Sequence, residues 1–330
     1  MALVGVIGGG QLGRMLGLAG IPLGLQFRFL DPSPDAPAAS VGELVIGRYD
    51  DDRLLRRLAD GADVVTYEFE NVPAAAAASV GAVPGARALE LTQDRLVEKR
   101  LFRRLGIPTA EFELPALPAL AKARRLGYDG KGQRVIQSLE QLGDDELAEE
   151  LVDFRRELSL LAVRSTSGET RFYPVVENVH RDGILRVSRT PAEHAPEEEA
   201  QEYATRLLDE LGYAGVLALE LFESRDGSLL ANEVAPRVHN TGHWTIEGAR
   251  TSQFENHLRA ILGLPLGSTD SQPATMVNLI GSVPPLERLL AIPGAHVHLY
   301  DKQPRPGRKL GHVTLVGDAV ARSEELEAFV

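Results

Sequence analysis

At 330 residues, 44% hydrophobic and 25% charged, the chain has the make-up of a globular enzyme of about two or three domains. Its net charge of −12 argues against a nucleic-acid-binding or anionic-membrane surface. The absence of cysteine excludes disulfides, a thiolate nucleophile and thiolate metal ligands.

The N-terminus lacks a basic segment ahead of its apolar run, so it does not read as a signal peptide. No apolar stretch approaches the length of a membrane span, and a cytoplasmic location is expected. Residues 2–7 predict a buried strand, Gly8 to Gly13 a tight turn, and Arg14 to about Gly20 a helix. Gln26 to Asp31 predicts a second strand, Asp51 to Ala59 a helix and Asp63 to Tyr67 a third strand. This alternation predicts a parallel, doubly wound sheet. Ala74 to Val80 and Leu91 to Leu105 read as helices, the second charged and closed by Gly106 and Pro108. Leu120 to Ala123 is strand-like, followed by a glycine-rich loop over Gly127–Gln133. Glu140 to Glu150 reads as an acidic helix, and Leu158 to Arg164 with Arg171 to Val176 as a hairpin. Pro191 to Leu211 and Gly248 to Leu262 read as helices. Further strands are expected at Met276 to Ile280, Ala295 to Tyr300 and Gly311 to Val316.

Between two of these helices, Val216 to Phe222 and Leu230 to Val234 are apolar, strand-like runs joined by the turn signal Glu223-Ser-Arg-Asp-Gly227. A hairpin there sets Glu220 beside Glu233, with Asn232 adjacent. Two acids on partly buried neighbouring strands resist joint ionisation unless a cation lies between them. Oxygen ligands of this kind suit Mg²⁺, which usually arrives with nucleotide phosphate. Read alone, the pair serves equally well as the solvent-facing acids of an amphipathic hairpin.

Three other segments carry chemistry. Gly8-x-Gly10-x-x-Gly13 lies between a strand and a helix, and Asp31 follows eighteen residues later, which fits a dinucleotide fingerprint. Its physical content is narrower: a backbone able to approach phosphate at a helix N-terminus, whether of NAD or of a sugar phosphate. An NAD-dependent dehydrogenase is the rival reading from another class. The loop Gly127-Tyr-Asp-Gly-Lys-Gly-Gln133 can cover phosphates with its amides but does not match a P-loop; it also reads as a surface turn. Lys302 to Lys309, rich in Gly and Pro, concentrates positive charge in an acidic protein and reads as an anion site or a solvated loop.

The segments GGGQLGRM, LDP, TYEFENV, DR-x-x-x-K, GYDGKGQ, YPVVENVHRDGIL, NEVAPRVHNTGHWTIEGARTSQFENH and DK-x-x-RPGRK-x-GH occur in that order. Together they resemble the 5-(carboxyamino)imidazole ribonucleotide synthase family of ATP-grasp enzymes over nearly the whole chain. The resemblance implies an α/β (α+β overall) architecture. A Rossmann-like pre-ATP-grasp domain spans residues 1–90, an ATP-grasp domain 91–265 with its lid at about 107–160, and a small β-rich C-terminal domain 266–330.

The implied reaction is ATP- and bicarbonate-dependent carboxylation of aminoimidazole ribonucleotide, with Mg²⁺, or Mn²⁺ in its place; the alternative is another ATP-grasp carboxylate–amine ligase or a formate-dependent transformylase of purine synthesis. No nucleic-acid or membrane partner is implied, and a homodimer is. Among nucleotide contacts the resemblance implies Arg95 and Lys122 at the phosphates, with Gly127, Tyr128, Asp129, Gly130, Lys131, Gly132 and Gln133 covering them. Glu149, Glu150, Leu151 and Val152 would read the adenine edge, and Glu157 the ribose, with His180 nearby. Glu220 and Glu233 would hold the metal, with Asn232 beside them. Gly10, Gln11, Leu12, Glu68, Arg237, Lys302, Arg308 and Lys309 would surround the ribonucleotide and bicarbonate. Tyr128, Asp129, Arg237, His239, Lys302 and Arg308 are the catalytic candidates. The chain is shorter than the family pattern before Lys122, after Gln133 and beyond Val316, so either the lid is trimmed or residues are lacking there.

Overall fold

The computed structural model describes residues 2–127 and 132–329. Strand β1 (Leu3–Ile7) leads through the glycine turn into α1 (Gln11–Gly20). Then follow β2 (Gln26–Asp31), β3 (Glu43–Ile46), α2 (Asp52–Ala59) and β4 (Val64–Tyr67). The four strands form a parallel sheet in the order β3-β2-β1-β4, with Val4 paired to Phe27 on one side and Val64 on the other. Such a sheet is covered on both faces, which is why β1 is an unbroken apolar run and every residue of β4 is buried. Strand β3 is absent from the sequence reading; its four residues are too few to show a period. Asp51 is the cap of α2, its carboxylate accepting from the amides of Arg53 and Leu54.

The chain continues through α3 (Ala74–Ser79), α4 (Ala86–Thr92) and α5 (Arg95–Arg104). The single helix expected over Leu91–Leu105 is therefore two. Asp94 is extended and caps α5 by accepting from Leu96 N–H, and an acid that can bond its own downstream amide stops the preceding helix. Next come β5 (Ala119–Ala123), β6 (Gln133–Ile136) and β7 (Glu146–Glu150), a small antiparallel sheet in the order β6-β5-β7. The helix expected over Glu140–Glu150 is not formed. Its second half is β7, with Leu120 of β5 opposite Glu149. The acids suggested a solvated helix, but Leu147, Ala148 and Glu149 are all buried. Tertiary pairing overrides local preference here.

The rest builds one large sheet. Its elements in chain order are β8 (Phe154–Arg164), β9 (Thr170–Phe172), β10 (Val176–Arg181), β11 (Ile184–Thr190), α6 (Glu197–Leu211), β12 (Gly215–Ser224), β13 (Leu229–Ala235), α7 (Thr245–Gly248), α8 (Gln253–Ile261), β14 (Ala274–Ile280), α9 (Leu286–Leu290), β15 (His296–Leu299), β16 (Lys309–Val316) and α10 (Ser323–Glu327). The strand order is β13-β12-β8-β10-β11-β14-β16-β15, with β9 beside β8. The last three strands thus extend the central sheet, Val187 of β11 pairing with Val277 of β14. Two helices start later than expected. Helix α6 begins at Glu197, after Pro196, and α8 begins at Gln253, where the Ser252 hydroxyl accepts from Glu255 N–H.

Helix α6 packs Leu207, Leu208 and Leu211 onto Leu158, Leu160, Leu217 and Leu219 of β8 and β12. Each fully buried leucine contributes about 2 kcal/mol relative to exposure, so this layer anchors the β12–β13 hairpin from behind. The single tryptophan, Trp244, is buried edge-on to Tyr173.

Candidate active site

The β12–β13 hairpin turns at Asp226-Gly227 and sets Glu220 opposite Glu233, near neighbours as its sequence predicts. The register then slips: Leu221 opposes Ala231, leaving Asn232 as a bulged residue. A bulge re-aims side chains, and here Glu220, Asn232 and Glu233 all face one cavity of about 780 Å³. The two acids are not equivalent. Arg95 donates to Glu233 at 2.8 Å; burial pushes that carboxyl upward, but Arg95 outweighs it and holds it below its usual range. Glu220 lies 3.3 Å from His239 Nε2. Burial and then the Glu233 charge push Glu220 up to about 7. Burial, followed by the nearby Arg237, drives His239 well below its ordinary value, so it is neutral at pH 7 and cannot compensate.

Across the cavity, Lys122 of β5 donates to Glu149 at 2.9 Å and to Asn232 Oδ1 at 3.3 Å. Burial raises the Glu149 carboxyl, and Lys122 with Lys99 more than reverses this. On β8 and β10, Glu157 and His180 Nδ1 are 2.7 Å apart; burial lowers His180 but Glu157 raises it overall. The Gly127 carbonyl accepts from Arg95 at 3.4 Å, and Gln133 opens β6. Tyr128, Asp129, Gly130 and Lys131 lie outside the described residues. Gly10, Gly132 and residues 149–152 are off the cavity wall: Glu149 is buried on β7, Glu150 and Leu151 are exposed, and Val152 is half-buried.

At the opposite end of the cavity the glycine turn is already filled. Gly8 has φ +104°, a conformation that favours glycine. Gly9 N–H donates to Asp31 at 2.8 Å, and Tyr49 OH donates to the same oxygen at 2.9 Å. Gly10 N–H donates to Glu68 at 2.8 Å. The acid that fits a ribose-binding role in the dinucleotide reading is therefore committed to the turn itself, which removes the support for that reading. Burial raises Glu68, with Gly10 N–H opposing. Lys302 donates to Gln11, and burial pulls Lys302 down to about 8 against the attraction of Glu68. Arg237 pairs with Glu70 and donates to the Val238 carbonyl at 2.8 Å. Arg308 donates to the Gln303 carbonyl at 3.1 Å, and Leu12 and Lys309 line the same wall.

The sequence assigns a role to Glu68 but none to Glu70, although the two alternate on one segment, and it carries Glu98, Lys99 and Arg305 only as members of a charged helix and of motifs. Glu70, Glu98 and Arg305 line the cavity, and Lys99 lies behind it against Glu149. In a helix rich in charge nothing marked which charges point inward.

Among the described residues no group of three or more His, Cys, Asp or Glu side chains is placed to hold a metal ion. Two carboxylates with an amide oxygen fit a hard cation that takes its remaining oxygens from phosphate and water, and the raised Glu220 carboxyl marks uncompensated negative charge where such an ion would bind.

Comparison with known proteins decides the family. The chain is 50% identical to an N5-carboxyaminoimidazole ribonucleotide synthase of Pseudomonas aeruginosa, with 99% of each covered. It belongs to the N5-carboxyaminoimidazole ribonucleotide synthase family. The alignment runs over 357 positions against a 330-residue chain, so that relative carries residues this chain lacks. The Bacillus subtilis synthase is 38% identical, covering 96% of this chain and 91% of that one. Family profiles match a ribonucleotide synthetase preATP-grasp domain over residues 1–93, an ATP-grasp domain over 107–254 and a phosphoribosylaminoimidazole carboxylase C-terminal domain over 274–326. The crystal structure of the Thermus thermophilus synthetase superposes with a TM-score of 0.92 at 52% identity, covering 99% of this chain and 97% of that one. The Aspergillus clavatus synthase, solved in complex with ADP and 5-aminoimidazole ribonucleotide, superposes at 0.89 with 34% identity, covering 98% and 96%. Family membership makes the chain an ATP-grasp ligase of purine biosynthesis.

Proposed function

We propose that the protein carboxylates 5-aminoimidazole ribonucleotide on its exocyclic amine, consuming ATP and bicarbonate. The observation that carries this reading is that one cavity joins the acid pair Glu220/Glu233 and Lys122 at one end to Gln11, Arg237, Lys302 and Arg308 at the other. That is a nucleotide end and an anion end with a shared middle. Bicarbonate oxygen attacks the γ-phosphorus, the bond to the ADP oxygen breaks, and carboxyphosphate forms. Its breakdown gives phosphate and CO₂, which the amine captures with loss of a proton.

Arg95 and Lys122 neutralise the charge that spreads over the transferring phosphoryl group. A Mg²⁺ ion held by Glu220 and Glu233, with Asn232 adjacent, would supply further charge neutralisation when bound. Gly127 and Gln133, both on the cavity wall, lie beside the phosphates and Glu157 beside the ribose, with His180 orienting Glu157; the adenine extends past the wall toward residues 149–152. Arg237 is fixed by Glu70 and aims at bicarbonate, Lys302 and Arg308 hold the substrate phosphate, and neutral His239 is placed to accept a proton near Glu220. A cytoplasmic homodimer is part of the same reading, and sedimentation velocity tests the assembly. For the described residues, no helix is long and apolar enough to cross a membrane.

The deciding experiment is ADP release followed with and without aminoimidazole ribonucleotide and bicarbonate. Dependence on both supports the assignment; ADP release that needs neither, or that needs formate, would reject it.

A further inference from the structure

Helix α5 buries two consecutive charged side chains, Glu98 and Lys99, each no more than 2% exposed. Burying a charge is costly unless it is well bonded, so the partners of these two are informative. Glu98 Oε1 accepts from Val234 N–H at 2.8 Å. Lys99 Nζ donates to the Ala231 carbonyl at 3.4 Å and to Thr109 Oγ1 at 2.8 Å, and Thr109 itself donates to the Ala231 carbonyl at 2.6 Å. Ala231 N–H donates to the Pro108 carbonyl at 2.7 Å.

These contacts share a location. Strand β13 is the edge of the large sheet, so its outward backbone groups have no neighbouring strand. The groups taken are those of Ala231 and Val234, which bracket the bulged Asn232 and Glu233. Lys99 also lies 3.3 Å from Glu149 Oε2, the oxygen that accepts from Lys122 at 2.9 Å. One step along a helix therefore touches both the strand carrying Glu233 and the partner of the lid lysine.

We infer that Glu98 and Lys99 are positioning residues that clamp the edge strand on both sides of the Asn232–Glu233 bulge and keep that pair aligned with Lys122. The inference rests on the reading of Glu220 and Glu233 as the metal-phosphate ligands. Glu98 acts through the hydrogen bond that its carboxylate accepts from Val234 N–H. A bulge has one residue more than its partner strand and can relax by slipping register. Pinning the backbone at both flanks prevents that slip, and the Glu233 carboxylate keeps its aim.

The test uses Glu98→Leu, Glu98→Gln, Lys99→Met and Thr109→Val, with Glu233→Gln as the benchmark. Calorimetry measures ADP affinity with Mg²⁺ and with chelator, thermal melting checks the fold, and KM for aminoimidazole ribonucleotide serves as an internal control. The clamp predicts that Glu98→Leu and Lys99→Met each reduce the Mg²⁺-dependent part of ADP affinity by about 10-fold or more, the range for groups that orient metal ligands. Glu98→Gln, whose amide oxygen still accepts from Val234, stays near wild type, and KM for the ribonucleotide is unmoved in all of them. Thr109→Val keeps its volume but removes two hydrogen bonds, the one from Lys99 and the one to the Ala231 carbonyl; it is expected to fold even if the buried-charge variants do not and to lose about fivefold or more, at least the equivalent of one hydrogen bond. Folded Glu98→Leu and Lys99→Met with wild-type MgADP affinity, while Glu233→Gln is impaired, would overturn the clamp alone. Glu98→Gln as impaired as Glu98→Leu would also overturn it. Unchanged MgADP affinity in Glu233→Gln would instead reject the metal reading and the clamp with it.

Discussion

Lys302 donates to the side-chain oxygen of Gln11, the first residue of α1, which latches the basic C-terminal loop onto the glycine turn. Burial lowers the lysine to about 8; Glu68 pulls it back up, and Arg308, Lys309 and Arg305 push it further down. Lys302 is thus cationic at pH 7 and neutral at pH 9. In the role proposed for it, Lys302 holds the substrate phosphate as a cation, so kcat/KM for the ribonucleotide should fall as pH rises through about 8, the free-enzyme value that this ratio reports. Lys302→Met should be weak at every pH with that inflection gone. A profile flat from pH 7 to 9.5 would remove Lys302 from the substrate site.

Arg95 is the cation that Glu233 accepts from at 2.8 Å. In the proposed reading a metal ion and this arginine compete for one carboxylate, while both serve the phosphates. Arg95→Met should therefore bind Mn²⁺ alone more tightly, read by paramagnetic resonance. It should also raise KM for ATP by about tenfold, the scale of a lost charge-assisted hydrogen bond. If Mn²⁺ affinity drops in parallel with ATP affinity, the competition does not exist.

The acid pair was legible as near neighbours because strand period and turn chemistry are local, but its exact pairing was not: the register of Leu221 with Ala231, continued, sets Glu220 opposite Asn232, and only the bulge brings Glu233 there. Which of them carries a cation was not legible, since Arg95 arrives from another helix far away in the chain. The glycine turn shows the reverse case. Its strand–turn–helix shape was read correctly, but the amides aimed at a ligand in the fingerprint are taken by Asp31 and Glu68, and only the folded chain reveals that. Strand β7 was hidden because Glu149, a buried ion-pair partner, looks like a solvated acid in sequence. Glu98 and Lys99 were hidden for the same reason: charge predicts exposure until a partner is known.

His257 joins two domains of the chain. Its Nδ1 accepts from Val216 N–H at 3.1 Å and its Nε2 lies 3.0 Å from Thr66 Oγ1, linking β12 to β4. Burial lowers it to about 4, while an unfolded histidine titrates near 6.5. Below about 6.5 the unfolded chain takes up a proton that the folded one refuses, so this stability is complete above pH 6.5 and lost as pH falls toward 4. The loss is about 3 kcal/mol over that interval. Glu220 and Glu98, raised to about 7 and 8, act in the opposite sense, so the comparison must be with a variant. His257→Gln should melt below wild type at pH 7 yet lose less between pH 7 and 5. Parallel melting curves in the two proteins would show that His257 does not titrate in this way.

Gly10 tests whether the filled turn matters to substrate. Its φ of −72° is open to any residue, so space alone is at issue. A Cβ there would lie 2.7 Å from Glu68 Oε1. The end of a glutamate usually swings away at little cost, but this carboxylate accepts from Gly10 N–H at 2.8 Å and Gly13 N–H at 3.3 Å. Gly10→Ala must either break those bonds, leaving partly buried amides unpaired at about 1–3 kcal/mol, or shift the start of α1. Both routes displace Gln11 and its contact with Lys302. Melting should drop by several degrees and KM for the ribonucleotide should rise by about tenfold, whereas MgADP affinity, set at the other end of the cavity, should hold. A variant that loses MgADP affinity while keeping its ribonucleotide KM would reverse the assignment of the two ends.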